Sequence, residues 1–215
     1  MEAASVAHVA HDDHHHGPPA ANRSSRVDPA TLGMLLFIMS EIMIFGAFFT
    51  AYFFIRVVHS GHPIGPHWFP MRFNGQTHSL PVEVAGMNTA ILVSSSFTLH
   101  WAETCIQKGN RFGFKAGMLT TFLLGATFLF IQVNEYIHIG FSPQDIAQGT
   151  IFYGLTGLHG AHVFIGLTIL AVVCVRAFRG HYSPEHHKGV NVPGIYWHFV
   201  DIMWIFVYVT VYVIQ

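Results

Sequence analysis

Residues 29–55 read PATLGMLLFIMSEIMIFGAFFTAYFFI, and in that run the only charged side chain is Glu41. A helix rises 1.5 Å per residue, so the stretch is long enough to cross a bilayer and too apolar for a helix of a soluble core. An ionisable group near mid-membrane is costly, faces protein or water, and by default marks a functional site. The plainer alternative is a protonated carboxyl held by a hydrogen bond to a neighbouring helix. The residues of this run alone leave both readings open.

The rest of the chain continues the pattern. Its 215 residues are 52% hydrophobic and only 10% charged, against about 25% charged in an ordinary globular domain. Apolar segments at about 31–57, 83–106, 115–138, 151–176 and 194–214 each hold the roughly 20 residues that a spanning helix needs. The predicted fold class is all-α, an integral membrane bundle of five transmembrane helices over residues 29–215. The connection at 58–82 contains Pro63, Pro66, Pro70 and Pro81 and cannot be helical throughout. No repeat is visible, which disfavours an inverted-repeat transporter.

Residues 1–28 have too few large apolar side chains to build a core and read as a disordered, His-rich tail. His11, His14, His15 and His16 with Asp12 and Asp13 are chemically able to bind a divalent metal, but nothing fixes their geometry. The first apolar run is longer than the core of a cleavable signal and follows an acidic tail, so it is expected to remain as a true span.

Lys and Arg set the expected orientation. Arg23, Arg26, Lys108, Arg111, Lys115, Arg176, Arg179 and Lys188 fall on the side of the N-terminus, with only Arg56 and Arg72 opposite. The N-terminus is therefore expected in the cytoplasm and the C-terminus outside. Glu41 then lies about 14 Å into its helix, near the midplane, with Asp201 roughly 10 Å deep in the last. Cys105 and Cys174 lack any metal or haem-attachment spacing and read as small apolar fillers.

The polar residues inside the spans gather on particular stretches. In the last helix Trp197, Asp201, Trp204 and Tyr208 recur at one-face spacing, with His198 nearby. Asp201 needs a partner there; interhelical hydrogen bonding and a bound-proton pair with His198 both fit. The fourth segment carries GLTGLHGAHVFIG, where Gly157 and Ala161 make a small-xxx-small step, with Gly160 and Gly166 nearby. His159 and His162 in that stretch are either polar helix glue or, with ligands from other helices, a metal or haem site. Gln132, Asn134, Glu135 and His138 end the third segment; Asn88, Ser94, Ser95 and Ser96 form a polar seam on the second. No phosphate-cradling loop, nucleophile elbow or zinc-protease motif occurs, and nothing in the composition points to nucleic acid.

Together, LGMLLFIMSEIMIFGAFFTAYF, MNTAILVSSSFTLHWA, QVNEY, FYGLTGLHGAHVFIGL and YWHFVDIMWIFVYVTVY resemble subunit III of the haem–copper oxidases, cytochrome c oxidase in particular. They are collinear and cover nearly all of residues 31–214. The resemblance implies a non-catalytic subunit of a proton-pumping aerobic terminal oxidase that carries electrons from cytochrome c to oxygen. Such a subunit stabilises the catalytic one, binds structural phospholipids in a cleft and supports proton uptake in aerobic respiratory electron transport. It holds no cofactor or redox centre itself; haem and copper belong to partner subunits. The implied partners are the catalytic haem–copper subunit I, the copper-bearing subunit II, a small subunit IV and membrane lipids, with cytochrome c acting on the complex. Glu41 maps to the family's carbodiimide-reactive carboxylate. Asn88, Glu135, His159, His162, His198 and Asp201 are implied to be a structural polar network, with no metal site. The implied location is a bacterial-type plasma (inner) membrane, with multiple passes.

Common family members have seven spans. The resemblance starts at the third, so the chain is expected to be a short five-helix form whose missing cleft wall comes from another chain. The quinol-oxidase counterpart tends to carry S-D where this chain has Ser40-Glu41, and an accessory protein of nitric oxide reduction shares the fold. From another class, a stand-alone proton transporter using Glu41 and Asp201, or a membrane metalloenzyme using His159, His162, His198 and Glu135, would fit the same polar residues.

Overall fold

The computed structural model describes residues 28–59, 71–73, 76–78, 80–140, 142–144, 147–182 and 188–214. The His-rich stretch of the N-terminal tail lies outside them. Five long helices account for nearly all of this: α1 (Pro29–His59), α2 (Val82–Gln107), α3 (Arg111–His138), α4 (Ala147–Phe178) and α5 (Lys188–Tyr208). All five are long and apolar enough to cross a membrane. Helices are the solution expected in lipid, because each satisfies its own backbone donors and acceptors. Between α1 and α2 two three-residue strands, β1 (Met71–Phe73) and β2 (Gln76–His78), pair antiparallel with Met71 opposite His78.

The helix limits lie close to those read from the sequence, and the differences have local causes. α3 starts at Arg111 rather than 115, because the Asn110 side chain accepts from the Gly113 N–H at 2.9 Å and caps the helix there. The turn before it is tight enough to need Gly109 at φ 78°, a conformation that L side chains avoid. α5 begins at Lys188 rather than 194 and accommodates Pro193 early in its length. At its other end α5 runs into a π-helical turn, Val209–Val213, which sequence periodicity does not announce.

α2 packs on α3 and α5, α3 on α4, and α4 on α5, so these four close into a ring; α1 lies outside it, against α4 and α5. Only 6% of the apolar stretch of α1 is buried, against 61% for the last span, so α1 is peripheral and α5 central. The ring's interior is aromatic: Trp197, Trp204, Tyr212, Phe128 and Phe152 are fully enclosed. Lipid offers no hydrophobic gain for bringing helices together, so close packing and interhelical hydrogen bonds hold the bundle.

Small residues permit the closest approaches. The Trp197 indole fills a notch between α3 and α4, where a Cβ on Gly125 would lie 2.5 Å from its ring and one on Gly166 2.9 Å. Gly157, expected to serve the same purpose, has no atom within 4 Å of where its Cβ would be, and Gly160 has only Leu129 at 4.0 Å. Among the described residues nothing packs where a Cβ on Gly157 would point, whereas Trp197 fills that place at Gly125 and Gly166.

Candidate functional site

Three polar constellations lie within the bundle. The first joins the outlying helix to the ring. His162 Nε2 on α4 is 2.9 Å from Glu41 Oε2 on α1, with side-chain exposures of 9% and 12%. The other imidazole nitrogen, Nδ1, lies 2.8 Å from the Leu158 carbonyl one turn back. A carbonyl only accepts, so Nδ1 carries a hydrogen. One proton then sits between Nε2 and Oε2, on the carboxyl or on the imidazole, and in either form the pair is neutral overall. Phe45 packs over the imidazole at 5.0 Å between centroids, and Tyr196 donates to the His162 carbonyl at 3.2 Å.

The second lines the α2–α5 interface. Trp197 Nε1 donates to Ser95 Oγ and Trp204 Nε1 to Thr89 Oγ1, both at 2.9 Å. Beside these rungs Ser96 Oγ meets two groups of α5 at once, His198 Nδ1 at 3.0 Å and Asp201 Oδ2. A cavity of about 380 Å³ opens beside them, lined by Val93, Ser96, Phe97, His198, Asp201 and Ile202 among others. Asp201 is buried, and its second oxygen, Oδ1, has no hydrogen-bond partner. Ser94, expected on the same seam, is exposed and bonds back to Ala90 of its own helix.

The third lies in the ring's interior. Tyr212 of the π-helical turn donates to Glu135 Oε1 at 2.9 Å. Tyr136 donates to Thr156 at 2.7 Å, and Asn88 Nδ2 to the Phe128 carbonyl at 3.2 Å. His159 is fully buried, tilted 34° against the Trp204 ring at 4.7 Å and edge-on to Phe128, with neither nitrogen hydrogen-bonded. His159 and His162, three residues apart, thus serve different neighbours and do not converge. Among the described residues no three His, Cys, Asp or Glu side chains are grouped to hold a metal ion. Cys105 and Cys174 are free and buried.

Glu41, Asn88, Ser95, Ser96, Glu135, His159, His162, His198 and Asp201 fall into these groups, whereas Ser94 and His138 are exposed and bond back to their own helices; the sequence does not show the pairings. Tyr212 was missed altogether, because the π-helical turn shifts its register relative to the α-helical pattern. Ser96 was read only as part of a seam. Its signal was available: Ser96 lies four residues before His100, as His198 lies four after Gly194, on facing helices.

The comparisons with known proteins give these arrangements a context. The family model for cytochrome c oxidase subunit III matches residues 20–215. Cytochrome c oxidase subunit 3 of Rattus norvegicus is 39% identical over 180 residues, 84% of this chain and 67% of that protein. The Drosophila yakuba protein of the same name is 40% identical over the same shares. That of Pan troglodytes is 36% identical over 198 residues, 92% of this chain and 72% of that protein. With five helices able to span a membrane and a match running nearly from end to end, the chain belongs to the cytochrome c oxidase subunit III family.

Proposed function

We propose that the chain is the non-catalytic third subunit of a proton-pumping terminal oxidase that takes electrons from cytochrome c to oxygen. The observation that carries this reading is the Glu41–His162 pair. The resemblance implies a reactive carboxylate at Glu41, and Glu41 Oε2 lies 2.9 Å from His162 Nε2 in a hydrogen-bonded pair. His159, enclosed by aromatic rings, supports the same reading. On it the chain supplies no redox centre, and haem and copper sit in the catalytic subunit I and the copper-bearing subunit II. A small fourth subunit and lipids complete the surroundings.

Stabilising the catalytic subunit, supporting its proton uptake and binding lipid are the roles we assign. An apolar groove of about 530 Å³ between α3 and α4, lined by Phe122, Leu129, Phe130, Phe164 and Leu167 among others, suits an acyl chain. The distribution of Lys and Arg supports an N-terminus on the positive-inside face; the location we assign is the plasma membrane of a bacterial-type cell. The test is mild-detergent purification from native membranes, with a reduced-minus-oxidised spectrum and mass spectrometry of the co-purifying chains. An a-type haem band with a large multi-span partner is expected. A haem-free, partnerless protein overturns the reading.

A further inference from the structure

The face of α2 that carries Ser96 continues through His100 and Glu103, at i, i+4 and i+7. The facing stripe of α5 is Gly194, His198 and Asp201, with the same spacing. The two helices pair these stripes in opposite order. Glu103 Oε1 occupies the place where a Cβ on Gly194 would sit, so the carboxylate lies directly against α5. His100 lies one turn from Ser96 and three residues from Glu103 on that face of α2. Ser96 bonds His198 and Asp201. An ionisable ladder thus runs from the C-terminal end of α2, where His100 is exposed, to a buried carboxylate beside a cavity.

We propose that Ser96, His198 and Asp201 form a two-state proton relay, fed from the His100–Glu103 end and storing its proton on Asp201 beside the 380 Å³ cavity. The bonding rules allow two arrangements. With Asp201 ionised, the Ser96 hydroxyl donates to Oδ2 and His198 donates from Nδ1 to Ser96 Oγ, leaving Nε2 as an acceptor. A proton arriving at Nε2 makes the imidazolium. The Nδ1 proton then passes to Ser96 Oγ as the serine's own proton passes to Asp201. The product has Asp201 donating to Ser96 and Ser96 donating to a neutral His198 that now carries its hydrogen on Nε2. One proton has entered at the imidazole and one has arrived at the carboxyl; no other bond changes.

The remaining environment suits storage on the carboxyl. Oδ1 of Asp201 has no donor to hold a charge there. The cavity wall is otherwise apolar, with Phe97, Ile202 and Ile205 exposed at the bilayer side. Among the described residues, the ionisable groups that face α5 from α4 and the membrane-buried part of α1 are Glu41 and His162, which lie toward Tyr196 and are tied to each other, and His159, which lies against the Trp204 ring. They do not share the ladder. The relay is independent of the oxidase reading, since it needs only a spanning α2–α5 pair.

Infrared difference spectra of the purified complex, recorded while its bathing buffer is exchanged from H2O to D2O, test this. A protonated carboxyl band that shifts in D2O and vanishes in Asp201→Asn is expected. Ser96→Ala should slow that shift by about 100-fold, the low end of what a positioned proton-transfer group contributes, and Ser96→Thr should restore it. If Asp201→Asn does not assemble, Ser96→Ala and Ser96→Thr carry the test alone. Absence of the band, or an exchange rate equal in wild type and Ser96→Ala, overturns the proposal. A complex that lacks haem yet passes leaves the relay standing and removes only the oxidase reading.

Discussion

Tyr212 reaches Glu135 at 2.9 Å from a π-helical turn, and the same turn gives up the Thr210 carbonyl to the Tyr52 hydroxyl of α1, also at 2.9 Å. π-Helical turns occur mostly as single insertions, and frequently where a side chain has been re-aimed. Here the re-aiming gives Oε1 of a buried carboxylate near the end of α3 its donor and binds the outlying helix to the last turn of the bundle. Arg56 adds a bond to the Ile214 carbonyl at 3.0 Å.

Removing that phenol should therefore hurt more than its size suggests. Tyr212→Phe leaves Glu135 Oε1 buried without its donor, a loss of about 1–3 kcal/mol. The thermal midpoint for release of the subunit from the purified complex should fall accordingly. Restoration by adding Glu135→Leu, which removes the orphan, would confirm the cause; an unchanged midpoint in Tyr212→Phe would contradict it.

The Glu41–His162 pair gives a second expectation. Glu41→Gln still offers a donor and an acceptor to Nε2, so assembly should be intact. His162→Leu strands a carboxyl among apolar side chains and should cost about 1–3 kcal/mol. A hydrophobic carbodiimide should label Glu41 in the wild type, and peptide mapping reads the site. Loss of assembly in Glu41→Gln would mean that charge, not hydrogen bonding, holds α1.

The glycines separate cleanly. Gly125→Ala drives a methyl into the Trp197 ring and should destabilise by about 1–3 kcal/mol. Gly157→Ala meets nothing within 4 Å and should be silent or stabilising by up to about 1 kcal/mol. Both are read from the same thermal midpoint, and equal effects would refute the packing argument.

How far the sequence reveals these features depends on the physics of lipid. The five spans were legible because length and hydropathy alone define them, and Glu41 stood out as a lone carboxylate. Its partner did not, because helices in lipid need no amphipathic stripe; the side that α1 turns to α4 leaves almost no trace in composition. His162 was recognised as a polar residue but not as the ligand of Glu41. Likewise Gly166 and Gly157 look alike in the sequence, and only the position of Trp197, on the next helix, tells them apart.

Orientation can be measured without touching the core. Cys105 and Cys174 are both buried, so introduced cysteines should dominate labelling. Lys108→Cys, at the exposed α2–α3 turn, should react with a membrane-impermeant thiol reagent only from the cytoplasmic side. Gln144→Cys, before α4, should react only from the opposite side. The reverse pattern would invert the proposed topology.

The separation between Glu41 and His162 along the chain, 121 residues, also sets a timetable for biosynthesis. At about 5–20 residues per second, α1 enters the membrane roughly 6–24 s before its partner on α4 has been made. During that interval Glu41 has no histidine to share its proton. The nascent helix must then wait beside the insertion machinery, or with its carboxyl neutral, until α4 arrives. The last bond to form at this seam is thus a checkpoint, and a chain whose α4 is late or defective leaves an acidic helix exposed to the quality-control proteases of its membrane.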